Sequence, residues 1–263
     1  RNNLYNNFTK IIGVLLTEII ILSIVQGICE WFPISSSGHL FLIRKILGLK
    51  VDINFDIFLH LSSLFVIIIF FRKEIVNVIK GFFTFDKENE NFKLSFYIIS
   101  ASFITGLIGF FLKDKNFLEN KNVVSFGFFT TTILLFLSGR NGEKKINFKS
   151  SLLTGFFQGI ALIPGISRSG TTISIGKICG VESKEAFNFS FLIGIPAIIG
   201  AILVKFDEIK NIRFDFIIIG FLISFIISIM TLYLLKKILI KDKFKYFSIY
   251  TFIVFLLSLF IKQ

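Results

Sequence analysis

Residues 26–38 read Gln-Gly-Ile-Cys-Glu-Trp-Phe-Pro-Ile-Ser-Ser-Ser-Gly, and residues 158–170 read Gln-Gly-Ile-Ala-Leu-Ile-Pro-Gly-Ile-Ser-Arg-Ser-Gly. Aligned without gaps at an offset of 132 positions (158 against 26), seven of the thirteen pairs are identical: Gln26/Gln158, Gly27/Gly159, Ile28/Ile160, Ile34/Ile166, Ser35/Ser167, Ser37/Ser169 and Gly38/Gly170. Twice that offset is close to the 263-residue length, so the chain reads as two related halves. Neither copy suits an uninterrupted helix. Pro33 and the Ser35–Gly38 run break the first, and Pro164, Gly165 and Gly170 break the second.

The sequence around both copies is that of a membrane protein. It is 54% hydrophobic and only 17% charged, with a mean hydropathy of +0.79. A soluble domain of ordinary composition carries about 25% charge. Uncharged runs cover 94–112, 122–138, 186–204, 216–235 and 246–261, and a spanning helix needs roughly 17–25 such residues. The first apolar stretch, from Ile11, holds Glu18 and lacks a small-residue cleavage site, so no cleavable signal peptide is expected. The net charge of +12 fits basic loops against anionic lipid headgroups. No basic stripe lies on a soluble domain, which excludes a nucleic-acid partner. Cys29 and Cys179 are isolated and suggest neither a disulfide nor a metal site. The 37 Phe residues reflect a coding bias and carry no aromatic function.

Broken backbone at membrane depth survives only where protein or water satisfies its amides and carbonyls. Each polar copy is therefore expected to form a re-entrant helical hairpin, about 11–46 and 150–180, and paired breaks point to a central site. Six crossings are expected at about 54–71, 94–112, 122–138, 186–204, 214–235 and 246–261. Three per half is odd, which makes the halves inverted. The predicted fold is thus an all-α integral membrane protein. It is a single domain over 1–263, with two inverted-topology repeats at about 8–138 and 139–263. Loops 72–93, 139–149 and 236–245 carry 5, 4 and 5 Lys/Arg, against 3 each in 113–121 and 205–213. The richer set is assigned to the cytoplasm.

Ionisable groups inside a membrane protein default to function. Gln26 and Glu30 are four apart and share a helix face, and Glu30 leads into Ser35, Ser36, Ser37, Gly38 and His39. The second copy exchanges acid for base: Ser167, Arg168, Ser169, Gly170, Thr171 and Thr172. An Arg fork fits phosphate oxygens, and small residues let backbone N–H groups approach an anion. The bland reading of Arg168 is a structural pair with Glu30. Superposed tips would bring Gln26, Glu30, the serines, His39 and Arg168 together, a set suited to phosphoryl transfer with a divalent ion. Glu18 reads as interfacial, His60 as a satisfied core histidine, and Asp52, Asp56 and Asp215 as acids near helix ends.

The two segments resemble the two signatures of bacterial undecaprenyl-diphosphate phosphatases, the bacitracin-resistance type. Residues 26–39 match an acid or amide, three residues, Glu, then Pro and Ser-Ser-x-Gly-His; residues 164–172 match Pro-Gly-x-Ser-Arg-Ser-Gly followed by a small residue and Thr. Length, repeat spacing and hydropathy extend the likeness over the whole chain. Gln26 stands where Glu is frequent, and Thr171 replaces the usual Ala or Gly. The resemblance implies a plasma-membrane enzyme that removes a phosphate from a C55 polyprenyl diphosphate lipid, and the loop charges place the opening of its site on the extracytoplasmic side. The resemblance also implies Mg2+ or Ca2+. Glu30 and Gln26 would serve the metal and water, Ser36 would be a candidate nucleophile, and His39 a general base or acid. Arg168 would hold the diphosphate, with Ser35, Ser37, Ser167, Ser169, Gly170 and Thr172 around it. A phosphoseryl intermediate and direct attack by water are both open, and a homodimer is compatible. Type 2 phosphatidic-acid phosphatases also carry Ser-Gly-His and Ser-Arg, but need a His six residues after the Arg. Here that position is Ser174, and no His follows His60. The alternative is a lipid-carrier transporter, which inverted repeats with broken helices also suit.

Overall fold

The computed structural model describes residues 2–112, 120–139, 142–204 and 213–261, with side chains from residue 13. Loops 113–121 and 205–213 lie mostly outside the described residues. Eleven α-helices are described: α1 (Asn2–Cys29), α2 (Ser36–Leu47), α3 (Phe55–Phe70), α4 (Arg72–Phe82), α5 (Glu90–Leu112), α6 (Lys121–Leu137), α7 (Phe148–Ile160), α8 (Arg168–Ile178), α9 (Ser183–Val204), α10 (Phe214–Ile240) and α11 (Phe247–Phe260). Among the described residues the only β pairing is an isolated bridge, Lys144 to Val181.

α5, α9 and α10 are long and apolar enough to cross a membrane. α3 and α4 make a fourth candidate span if counted together, although they bend by 76° at Phe71. α6 has 17 residues and α11 has 14, at or below the short end of the spanning range. Phe103, Phe110, Phe136, Phe214 and Phe260 point outward and are each more than 60% exposed. A water-soluble monomer does not show so much apolar surface, so these rings face lipid.

The sequence reading takes 72–93 as a loop, and α4 corrects this over Arg72–Phe82. Arg72, Lys73, Glu74 and Lys80 hide the apolar run, but Ile75 and Val78 fall on one face and pack on the main core. Other ends follow local chemistry. Asn147 and Ser150 form a reciprocal capping box at α7, and Gly48 closes α2 in the left-handed conformation at φ 63°. The buried Lys177, at the end of α8, donates to Asp242 at 2.9 Å and to Ser183 at 3.0 Å.

The packing positions the two breaks against each other. α1 lies on α10, α7 on α5, α3 on both α9 and α10, and α6 on α8 and α11. Trp31, at the first break, is fully buried against Phe191 of α9, with centroids 5.5 Å apart. Phe71, Phe187 and Phe191 continue this aromatic core. At the second break, Gly165 takes φ 90° where α6 approaches. A Cβ there would run into the Val124 carbonyl oxygen. Gly165→Ala is therefore expected to destabilise the fold by about 1–3 kcal/mol, seen as a lower thermal midpoint in detergent. An unchanged midpoint would mean that the α6–break contact yields freely.

Candidate active site

Each interrupted segment is stitched by its own hydroxyls. Ser35 caps α2 by accepting from Gly38 N at 3.2 Å, and Ser167 caps α8 by accepting from Gly170 N at 3.1 Å. The same residue pair thus does the same work in both copies. Ser35 holds φ 70°, an uncommon conformation for a side-chain-bearing residue. Thr131 of α6 accepts from Ser167 N at 2.9 Å and donates to the Gly165 carbonyl at 3.1 Å. Ser169 crosses to the other copy and donates to the Trp31 carbonyl at 3.2 Å. The tips therefore touch through backbone before any charge is considered.

Glu30 lies in the turn after α1, buried, and four groups converge on it. Ser36 Oγ donates to Oε2 at 2.6 Å, and Gln26 Nε2 donates to the same oxygen at 3.2 Å. Arg168 Nη2 donates to Oε1 at 3.2 Å from the second copy. His60 Nδ1 of α3 stands 3.7 Å from Oε2. The Arg168 guanidinium rests over the Phe191 ring at 5.7 Å. Gly194 of α9 lies beside it, where a Cβ would collide with Nη1.

The residues named from sequence divide into two groups. Gln26, Glu30, Ser36 and Arg168 form one connected cluster, so the Arg168–Glu30 pair read as the bland alternative is present. His39 is near but separately bonded: Nδ1 donates to the Ser35 carbonyl at 2.7 Å, and Nε2 lies 2.9 Å from the Tyr250 hydroxyl. Ser35, Ser167 and Ser169 are engaged in caps and the inter-tip bond. Thr172 binds Ser190 and the Arg168 carbonyl. Gly170 N is taken by Ser167, and Ser37 is exposed.

Three residues take places that the sequence reading does not give them. His60 joins the site, because Gln26 Nε2 reaches its Nδ1 at 3.1 Å. Tyr250 of α11, not singled out at all, holds His39. Glu18 is buried and accepts from Lys50 N and Val51 N at 2.8 and 3.0 Å, pinning the turn after α2. Only α3 folding back onto α1 could reveal His60, and its sequence spacing gives no sign of that.

Several buried polar atoms in this region have no partner: Gln26 Oε1, Arg168 Nη1, Trp31 Nε1 and Thr171 Oγ1. Buried polar atoms without a partner cost free energy, and a water, an ion or a ligand group is what satisfies them. The charges of Glu30 and Arg168 cancel, so an incoming anion of two or more charges needs further positive charge. Among the described residues, no three His, Cys, Asp or Glu side chains converge. Glu30 and Gln26 Oε1 are hard oxygen donors; Mg2+ takes one or two such groups, with substrate phosphate oxygens and waters completing its shell, and the larger Ca2+ takes more oxygens of the same kinds. The donor set fits such an ion.

Breaking a buried ion pair from one side costs about 3 kcal/mol or more. The double variant Glu30→Gln/Arg168→Met is therefore expected to unfold above the sum expected from the two single losses, in thermal unfolding in detergent. Strictly additive losses would mean that the two side chains do not interact.

Comparison with known proteins places this geometry in a family. Residues 19–257 match the model of the bacitracin resistance protein BacA. A Thermosipho africanus undecaprenyl-diphosphatase is 37% identical over 248 residues, covering 92% of this chain and 98% of that protein. An enzyme of the same name from Borreliella burgdorferi is 38% identical, covering 89% and 93%. One from Methanococcus vannielii is 32% identical, covering 92% and 99%.

Proposed function

The chain belongs to the bacitracin resistance protein BacA family, and from that premise we propose that it works as a membrane undecaprenyl-diphosphatase. It hydrolyses undecaprenyl diphosphate to undecaprenyl phosphate and orthophosphate, recycling the lipid carrier for cell-wall synthesis. The observation that carries this reading is the line Ser36–Glu30–Arg168. A hydroxyl bonded at 2.6 Å to a buried carboxylate faces a guanidinium with one unpaired Nη1.

Arg168 then clamps the diphosphate through its free N–H groups. The Ser36 proton moves to Glu30 Oε2 as the attacking oxygen forms its bond to the terminal phosphorus. The bridging P–O bond breaks, and the polyprenyl monophosphate leaves. Where Ser36 is the attacker, a water then attacks the phosphoserine phosphorus, the P–O bond to Ser36 breaks, orthophosphate leaves and Ser36 Oγ regains its proton; where a water oriented by Ser36 attacks, orthophosphate forms directly, and a trapped phosphoserine distinguishes the two. His39 serves as acid or base once its Nε2 exchanges Tyr250 for a reacting oxygen. Glu30 and Gln26 Oε1 would hold the divalent cation. When bound, the cation supplies charge neutralisation at the phosphate oxygens.

The finer architecture is part of the same proposal. Two inverted halves, about six crossings and two re-entrant pairs (α1–α2 and α7–α8) are supported by contacts that exchange between halves. α1 meets α10 as α7 meets α5, and α3 meets α10 as α9 meets α5. The more basic loops are read as cytoplasmic in a bacterial plasma membrane, with the site opening to the extracytoplasmic side.

The test is orthophosphate release from a C55 diphosphate by purified protein, with and without Mg2+ or Ca2+. Metal-dependent release is expected, and Arg168→Ala should abolish it in a chain that stays helical. No release from folded wild type would favour lipid movement without hydrolysis, measured in vesicles. Gly194→Ala should displace the guanidinium and lower the rate at least tenfold, while other small-residue changes on α9 away from Arg168 should not. A wild-type rate would mean that Arg168 need not occupy this position.

A further inference from the structure

We propose that His60 is a positioning residue that sets the orientation of the Gln26 amide and so aims Gln26 Oε1 at a bound divalent cation. This rests on the cation reading above.

A primary amide has two nearly equivalent orientations, and its surroundings must choose one. Gln26 is fully buried, so water cannot decide. Its terminal nitrogen lies 3.2 Å from Glu30 Oε2 and 3.1 Å from His60 Nδ1. Turned over, the amide would set its carbonyl oxygen against the carboxylate oxygen, acceptor against acceptor. Glu30 alone, however, occupies only one of the two N–H groups. The second would be buried without an acceptor. His60 Nδ1 supplies that acceptor, in the neutral ring with its proton on Nε2. A proton on Nδ1 instead would place two donors 3.1 Å apart. The 3.7 Å separation from Glu30 Oε2 is too long for a direct hydrogen bond. The hydrogen bond of His60 Nδ1 is to Gln26, at 3.1 Å. With both N–H groups fixed, the amide plane is fixed too, and Oε1 is left buried and unpartnered.

The internal repeat supplies an independent comparison. Gln is present in both copies, as Gln26 and Gln158. At the same offset of 132, Glu30 becomes Leu162 and His60 becomes Leu192. Both partners of the amide are thus lost together. In the second copy the nitrogen turns elsewhere: Gln158 Nε2 donates to Thr105 Oγ1 at 3.1 Å and to the Ile193 carbonyl at 3.3 Å. The acid and the imidazole belong to one arrangement, and that arrangement exists only around Gln26. Leu192 is also well packed at the corresponding place, so an apolar side chain at this helix position is compatible with the architecture.

Groups behind a metal ligand commonly govern affinity by about 10–100-fold. The test is calorimetric titration with Ca2+ and with Mg2+ of full-length purified protein saturated with a non-hydrolysable methylene analogue of the polyprenyl diphosphate, for wild type, His60→Leu and His60→Asn. Asn places its side-chain oxygen near where Nδ1 stands and keeps an acceptor for Gln26. The expected result is at least tenfold weaker binding in His60→Leu, with affinity restored to within about threefold in His60→Asn. If His60→Leu fails to fold, His60→Phe, which keeps a ring and removes the acceptor, makes the same comparison. Wild-type affinity in a folded Leu or Phe variant would overturn the role of His60 and leave the cation reading standing. Equal weakening in the Leu and Asn variants would overturn it too, by showing that an acceptor is not what matters. No titratable binding by wild type would overturn both readings.

Discussion

A helix interrupted inside a bilayer must find partners for the backbone groups it frees, because lipid offers none. Most of this structure answers that demand. Ser35 and Ser167 cap the helices that restart after each break, Thr131 reaches in from α6, and Ser169 ties one tip to the carbonyl of the other. The sequence spends its hydroxyls on backbone, and the two tips are thereby held in contact. The reactive groups are placed by this framework. Glu30 and Arg168 are 138 residues apart in sequence, yet they meet because the two breaks are built alike.

The chemistry then follows from how the two copies differ. One carries the acid and the other the base, so a site made from equivalent parts has polarity. The guanidinium is held by the carboxylate through Nη2 and leaves Nη1 unpartnered, which in the proposed reaction faces the anion. Ser36 donates to the same carboxylate, the bond through which the proposal has it lose its proton. The charges balance without a ligand, which keeps the unliganded site tolerable in an apolar surround. In the reaction proposed above a diphosphate upsets that balance, which is the physical reason for the cation in that proposal.

Much of this was legible because local rules decide it. The repeated Gln-Gly-Ile and Ile-Ser-x-Ser-Gly fragments, the prolines and glycines, and the long apolar runs gave the helices near their observed ends. Gln26, Glu30, Ser36 and Arg168 were legible as a set because an ionisable group in such sequence has few innocent explanations. Other features depend on tertiary contacts that no spacing encodes. α4 was hidden by four charges on a short amphipathic helix. His60 reads as one polar residue in an apolar run until α3 lies against α1. Tyr250 meets His39 across 211 residues, and Lys177 meets Asp242 across 65. The hydroxyls were read as ligands for substrate. The polar composition was visible, but the backbone atoms they would satisfy were not.

The most direct test of the central claim, that the two tips form one phosphate-binding site, is a structure of the protein with a non-hydrolysable methylene analogue of the polyprenyl diphosphate. The account predicts phosphate oxygens within hydrogen-bonding distance of Arg168 and Ser36 Oγ facing the terminal phosphorus, with Glu30 beside it. A diphosphate bound elsewhere, with Arg168 still engaged only by Glu30, would contradict it.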